Sequence, residues 1–312
     1  MSFAATLGLV LFSFYALTSV LLSVAVAVAW RAGLGRTIES SSGLLAMRLL
    51  PAGGAVLLVL TVVLPVFLAY EPRQESEAVG PLIVALALLA SLILGDAVRR
   101  GSRAWIAARR LLQSIAPAGR WRAAGAGEVE IVDIAAPIVA IVGGWQPRII
   151  AAQRVVAACT REEFRQIVAH ETAHLSVRDN LKLLLLVASP DALAWAPQGA
   201  ALEKRWRAAA EFAADERAAG SDRRKRIELA SAIIKVARIS SAVDRPLTAL
   251  GMAAALDDVE GRVQRLLAPA PAAGRTDGLK RLALCALSIP LAALPLYAPI
   301  HRCIEALVAC GH

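Results

Sequence analysis

The sequence predicts a mostly α-helical membrane protein with four transmembrane helices and, between the third and the fourth, a cytoplasmic α+β domain. Three observations carry that expectation. Of the 312 residues 57% are apolar and only 19% charged, an excess of apolar residues over an ordinary soluble domain. The apolar residues gather into long uncharged stretches. About 180 residues, from 98 to 281, are of mixed character and suffice for one compact domain.

Residues 3–30 hold no charge and exceed the roughly 20 apolar residues that cross a bilayer as helix. They lack the basic start and short apolar core of a cleaved signal peptide, so they read as the first span. Residues 49–70, with Pro51 and Pro65 near the ends, make a second span, and 79–95 a shorter third, so that 1–97 forms one three-span region. Residues 282–300 are the fourth span; their three prolines distort a helix, but neighbouring spans can satisfy the freed carbonyls. A buried core helix is the competing reading of that stretch.

Loop charges set the orientation. Arg31, Arg36 and Arg48 stand against Glu39 in the first loop, whereas Glu71, Glu75 and Glu77 stand against Arg73 in the second. After the third span come Arg99, Arg100, Arg103, Arg109, Arg110, Arg120 and Arg122, with no acid from 97 to 127. Positive loops stay inside, which places both termini outside and the arginine-rich stretch in the cytoplasm. The formal charge of +9 is thereby explained by topology and anionic headgroups, and direct nucleic-acid binding is not expected.

The domain opens on RRGSRAWIAARRLLQSIAPAGRW, where Trp105, Ile106, Leu111, Leu112 and Ile115 interleave with arginine in the manner of an interfacial helix on the inner leaflet. VEIVDIAAPIVAIVG and RIIAAQRVV, joined by the turn GWQP, read as paired strands. Thr160 followed three residues later by Glu163 is a capping box, and Phe164, Ile167, Val168 and Leu175 give the ensuing helix a buried stripe. LKLLLLVASPDALAWAP is broken at Pro190 and Asp191 and is too short to span; it is expected to pack that helix toward the membrane side of the domain. A helix from about Leu202 ends at Gly220, a second covers DRRKRIELASAIIKVARI, and LDDVEGRVQRLL precedes an Ala, Pro and Gly linker.

Only four histidines occur in the chain, and two lie in IVAHETAH, on the capped helix. Four helical residues turn about 400° and rise about 6 Å, so His170 and His174 project from one face with room for an ion between them. Neutral imidazoles suit Zn²⁺, and Glu171, adjacent to the first of them, is placed to act on a water without ligating the metal. The expected cofactor is zinc, with Glu171 as general base. A catalytic zinc site wants a third protein ligand, and Glu211 in EFAAD is the best candidate. Asp215, at i+4, shares its helix face and suits the outward nitrogen of a ligand histidine. Taken alone, Glu211 and Asp215 read sooner as a solvated face beside Arg207 and Arg217; only the pairing with HETAH reverses this in favour of the metal.

The span order, together with QPRIIAAQRVV, TREEFRQIVAHETAH, the RDN at 178–180, EKRWRAAAEFAADERA and GRVQRLL, resembles the BlaR/MecR-type membrane metallopeptidases, sensor-transducers that relay an external signal by cytoplasmic proteolysis. The resemblance implies a gluzincin-like zinc peptidase domain in a bacterial inner membrane, with His170, His174 and Glu211 on zinc, Glu171 as base and Asp215 behind the ligands. It implies a protein substrate, such as a transcriptional repressor. Quality control of membrane proteins, or a non-catalytic receptor or scaffold retaining the zinc fold, are the competing functions. The lipid bilayer is an expected partner, and a second copy of the chain is left open. Two features depart from the best-known relatives. The external tail is the short HRCIEALVACGH at 301–312 instead of a penicillin-binding domain, so β-lactam sensing is not implied, and Ala214 stands where cysteine is often found. Cys303 and Cys310, flanked by His301 and His312, read as a disulfide or as a metal- or redox-responsive switch. A substrate segment is expected to add as a strand near 138–142.

Overall fold

The computed structural model describes residues 2–70, 80–114, 117–122, 128–134, 137–143, 147–241 and 258–269. The expected fourth span, the linker before it and the cysteines of the tail lie outside the described residues. The protein is mostly helical with a small mixed sheet, and it divides into two compact units. Among the described residues one, the span unit, holds those up to Arg100 together with Ala188–Glu203; the other, the site unit, holds Gly101–Val187 and those from Lys204 to 269.

The three apolar stretches in the span unit are helices long enough to cross a membrane. Helix α1 (Phe3–Arg31) is followed by a 30-residue helical run made of α2 (Ser41–Leu58), a π-helical turn (Val59–Val63) and α3 (Leu64–Tyr70), and then by α4 (Pro81–Ser114). Ser40 starts the second run by accepting the Gly43 amide. That run begins eight residues earlier than hydropathy alone proposes, which puts Pro51 inside the helix. The π turn lies directly before Pro65, where its wider ring relieves the clash of a proline with the preceding turn. Val10, Phe14, Val62, Val66, Ile83 and Ile93 pack between these helices, and Ser13 donates to the Ile83 carbonyl at 2.8 Å.

Two expectations are corrected in this unit. Arg48, counted among the loop charges, is a fully buried residue of α2, 2.8 Å from Asp191 and 3.2 Å from Glu203. The segment LKLLLLVASPDALAWAP does not act as one piece. Its first half is helix α7 (Asp179–Val187) of the site unit, while 188–203 belongs to the span unit. There Tyr15 donates to the Pro190 carbonyl, the Leu193 amide donates to Ser23 at 3.1 Å, and Trp195 donates to Asp96 at 3.1 Å. A charge so deep among apolar helices is held by its partners, which hydropathy does not register.

In the site unit the arginine-rich segment continues α4 as helix to Ser114, but from Pro117 it is strand β1 (Pro117–Arg122) instead of helix. Strands β2 (Glu128–Val132), β3 (Val139–Val142) and β4 (Arg148–Ala152) complete a sheet of order β1-β2-β4-β3. β1 and β2 are antiparallel, β2 and β4 parallel, and β3 and β4 antiparallel. The expected pairing across GWQP is thus the β3–β4 hairpin, with β3 at the sheet edge. QRVV, expected as strand, is instead the short helix α5 (Gln153–Ala158).

Helix α6 (Arg161–Ser176) has the full capping box: the Glu163 amide donates to Thr160 Oγ1 at 3.2 Å and the Thr160 amide to Glu163 Oε2 at 2.8 Å. Phe164 and Val168 pack on Val129, Ile149 and Ala151 of the sheet, and Trp121 meets Phe164 edge-on at 4.8 Å. Ile167 packs with Ala152, Val155 and Ala232, the last on α9 (Arg223–Ser241). Helix α8 (Pro197–Ala219) stops at Gly220, whose φ of 55° ends the helix at no steric cost. The described chain closes with α10 (Val259–Leu267), where Leu266 packs with Ala219, Leu229 and Ala230.

Candidate metal centre

Helix α6, buried against the sheet, carries His170 and His174 one turn apart. Their rings are 4.7 Å apart, nearly perpendicular at 84°, and their Nε2 atoms lie 3.2 Å from each other. From α8, Glu211 brings Oε2 to 3.3 Å from His170 Nε2 and Oε1 to 3.5 Å from His174 Nε2. Three donor atoms, one from each residue, all lie within 4.8 Å of one another.

The outward nitrogens are backed by carboxylates. Asp215 Oδ1 lies 2.8 Å from His170 Nδ1, as the i+4 spacing from Glu211 requires, and Asp179 Oδ2 lies 2.9 Å from His174 Nδ1. An imidazole with its proton held on Nδ1 presents its lone pair at Nε2. Two such lone pairs 3.2 Å apart, facing a carboxylate, repel unless a cation lies among them, so this donor set fits a divalent ion. The same conflict governs protonation. Burial alone opposes charge on either ring, yet the carboxylates outweigh it: Asp215 and Glu211 raise the pKa of His170, and Asp179 and Glu211 push His174 up to about 10.

Glu171 lies beside these groups in the same cavity of about 300 Å³. Burial raises its pKa, against the pull of the two histidines, so its environment favours holding a proton more than a solvent-exposed carboxylate would. The cavity is walled by β3, by Ile167 of α6, by Trp206 of α8 and by Ile233 and Val236 of α9. It is therefore an apolar cleft with its polar groups converging at one end.

All five residues expected at the site are brought together. Sequence reasoning missed four others. Asp179 is the partner of His174; Arg178 adopts φ 56°, and this left-handed turn lets a residue five positions on fold back upon the imidazole. Arg262 of α10 reaches Asp215 through Nε at 2.8 Å and Nη2 at 2.7 Å, and Glu211 through Nη1 at 2.9 Å. Asn180 donates to the Gly143 carbonyl at the end of β3 at 2.6 Å, and Arg217 donates to the Ala173 carbonyl at 2.8 Å. The RDN and GRVQRLL motifs contain three of the four, so a signal was present without a role attached to it.

The family model of the BlaR1 peptidase M56 matches residues 78–266, a range that includes the sheet and every group described at this site. The chain belongs to that family. This M56 peptidase is accordingly a membrane-associated metallopeptidase, its substrate is a protein, and its apolar helices imply a lipid bilayer around it. No curated protein and no solved structure matches the chain.

Proposed function

We propose that the chain is an integral-membrane zinc endopeptidase in which His170, His174 and Glu211 hold the ion, Glu171 is the general base and Asp215 fixes His170. The observation that carries this reading is the meeting of three donors within 4.8 Å with a carboxylate behind each imidazole. Zinc, when bound, supplies the Lewis acidity that activates a water and polarises a peptide carbonyl. Glu171 takes a proton from the attacking water and returns it to the leaving amine, work that suits a carboxyl whose pKa burial has raised. Asp215 and Asp179 keep both Nδ1 protons in place, so that the imidazoles stay oriented through turnover.

The substrate adds as a strand along β3, which lines the cleft and pairs on one side only with β4 among the described residues. Isoleucine and valine side chains around the cleft favour an apolar residue next to the scissile bond. The arginine-rich run from 99 to 122 supports a reading in which the peptidase domain, 98–281, faces the cytoplasm of a bacterial inner membrane, after three spans and before a fourth expected at 282–300, outside the described residues. Its role is regulatory: cleavage of a cytoplasmic protein such as a transcriptional repressor in answer to an envelope signal. The test is Glu171→Gln in purified protein, expected to retain zinc and lose cleavage. Proteomes of cells with wild-type protein and with the variant should then differ in one specific product. Loss of zinc in the variant, or unchanged cleavage, contradicts the assigned roles, and a broad set of products contradicts the regulatory one.

A further inference from the structure

We propose that Arg262 is a positioning residue of the metal centre, one that reserves a single oxygen of Glu211 for the ion. The inference rests on the zinc reading given above. Arg262 is 5% exposed and reaches the site from α10, a nine-residue helix whose Val259 also lines the cavity. Its guanidinium divides its donors. Nε and Nη2 make the two-pronged contact with Asp215, at 2.8 and 2.7 Å, and Nη1 lies 2.9 Å from Glu211 Oε2. Both carboxylates are thereby held by one rigid planar fork, which shares Asp215 Oδ1 and Glu211 Oε2 with His170 and leaves Glu211 Oε1 toward His174.

The consequence for Glu211 follows from its geometry. A carboxylate can give a divalent ion one oxygen or two, and a catalytic zinc site needs a position left for water. With Oε2 taken by Arg262, Oε1 is the oxygen that remains free to bind at full strength. The same fork holds Asp215 2.8 Å from His170 Nδ1, so one side chain steadies two of the three donor groups.

The fork itself is built in. Arg226, 4% exposed on α9, donates to the carbonyls of Leu266 at 2.8 Å, Arg265 at 2.6 Å, Ala268 at 3.3 Å and Gly220 at 3.1 Å, which closes the C-terminal end of α10. At the other end Asp258 caps the helix through the Gly261 amide at 3.1 Å. A Cβ on residue 261 would come within 2.4 Å of the capping carboxylate, so any larger residue there displaces the cap. The helix is thus fixed at both ends and packed through Leu266, so the guanidinium it presents is held in place.

The experiment uses the full chain in detergent, with Zn²⁺ affinity read by chelator competition and Co²⁺ substitution read by visible absorption. Wild-type protein is expected to bind one Co²⁺ with the intense visible bands of a four-coordinate site. Arg262→Met should weaken Zn²⁺ binding roughly 10- to 100-fold, the range for loss of a group that supports ligands. Its Co²⁺ bands should lose intensity as the second oxygen of Glu211 enters the coordination sphere. Arg262→Lys, whose single ammonium cannot serve both carboxylates, should be intermediate in both readouts, and it carries the test if the Met variant does not fold. Metal affinity and Co²⁺ bands unchanged in either folded variant overturn the inference. Failure of wild-type protein to bind Zn²⁺ or Co²⁺ at all overturns the zinc reading beneath it.

Discussion

Removing the charge of Glu163 should loosen the helix that carries both histidines, and do so only above acid pH. Its carboxylate accepts from Thr160 in the capping box, from Ser231 at 2.7 Å and from Lys235 at 2.6 Å, the last two on α9. Burial acts to raise its pKa, but the bonds to Lys235, Ser231 and Thr160 outweigh burial and bring it to about 2, from an ordinary 4.5. A carboxyl with a depressed folded pKa contributes stability that is complete above the unfolded value and is lost as pH falls toward the folded one. The window is therefore roughly pH 4.5 to 2. Taken whole, the shift is worth about 3 kcal/mol. The Lys235 side chain is 37% exposed, so solvent screening reduces this to about 1–2 kcal/mol.

Glu163→Gln keeps the shape and an acceptor for the cap while deleting the charge. In metal-free protein held in chelator, so that loss of the ion at low pH does not intrude, the variant should be less stable than wild type by about 1–2 kcal/mol at pH 7. The difference should shrink steadily as the pH falls below about 4.5. Denaturant titrations at a series of pH values measure it. A difference equal at pH 7 and at pH 3, or none at either, refutes the reasoning: the first would make the contact one of shape, the second would leave the ion pair without net worth.

Four further outcomes are expected. Asp179→Asn, which removes the charge behind His174 Nδ1, should lower Zn²⁺ affinity roughly 10- to 100-fold by chelator competition. Because burial is outweighed by acids that push His174 up to about 10, Zn²⁺ binding at pH 7 should release protons, seen as a buffer-dependent heat in calorimetry. Ala140→Pro on β3 should depress cleavage with zinc content intact, and loss of zinc as well would make the strand a folding element instead of a docking edge. Arg48→Met strands Asp191 without its buried partner and should cost about 3–5 kcal/mol in detergent melts, with recovery when Asp191→Leu is added.

The parts of the protein legible in its sequence are those whose causes are local. The three spans follow from run length, α6 from the reciprocal bonds of Thr160 and Glu163, and the end of α8 from Gly220. Helical spacing puts His170 with His174 and Glu211 with Asp215 on one face each, and it was the HETAH pair that turned the second spacing into a metal reading. What the sequence concealed depends on contacts between elements. Arg48 sits inside an apolar helix because Asp191, 143 residues later, meets it. QRVV is β-branched but forms helix α5, since β4 reaches its pairing limit at Ala152 and Val155 finds its burial against Ile167 instead. Asp179 depends on a left-handed residue that is not glycine, and Arg262 on a helix 47 residues beyond the acid it clamps.

The charges around the two histidines explain why the motif and its distant partners form one unit. Glu171, Asp179, Glu211 and Asp215 put four carboxylates within reach of the imidazoles, while Arg262 and Lys182 supply two fixed cations, the latter 2.8 Å from Asp179. With neutral histidines these six groups alone sum to two negative charges, which is costly in a largely buried, low-dielectric cluster. A divalent ion brings the sum to zero, and so do two protons on the imidazoles, the direction in which both pKa values are driven. Metal and protons therefore compete for one electrostatic deficit. That deficit is set as much by Asp179 and Arg262 as by the HETAH sequence. Neutral substitution of either distant group changes the sum by one charge while His170, His174 and Glu211 themselves stay in place. The two variants should accordingly move the number of protons released on Zn²⁺ binding in opposite directions, Asp179→Asn lowering it and Arg262→Met raising it. Movement in the same direction would show that packing, and not charge, sets the protonation of the cluster.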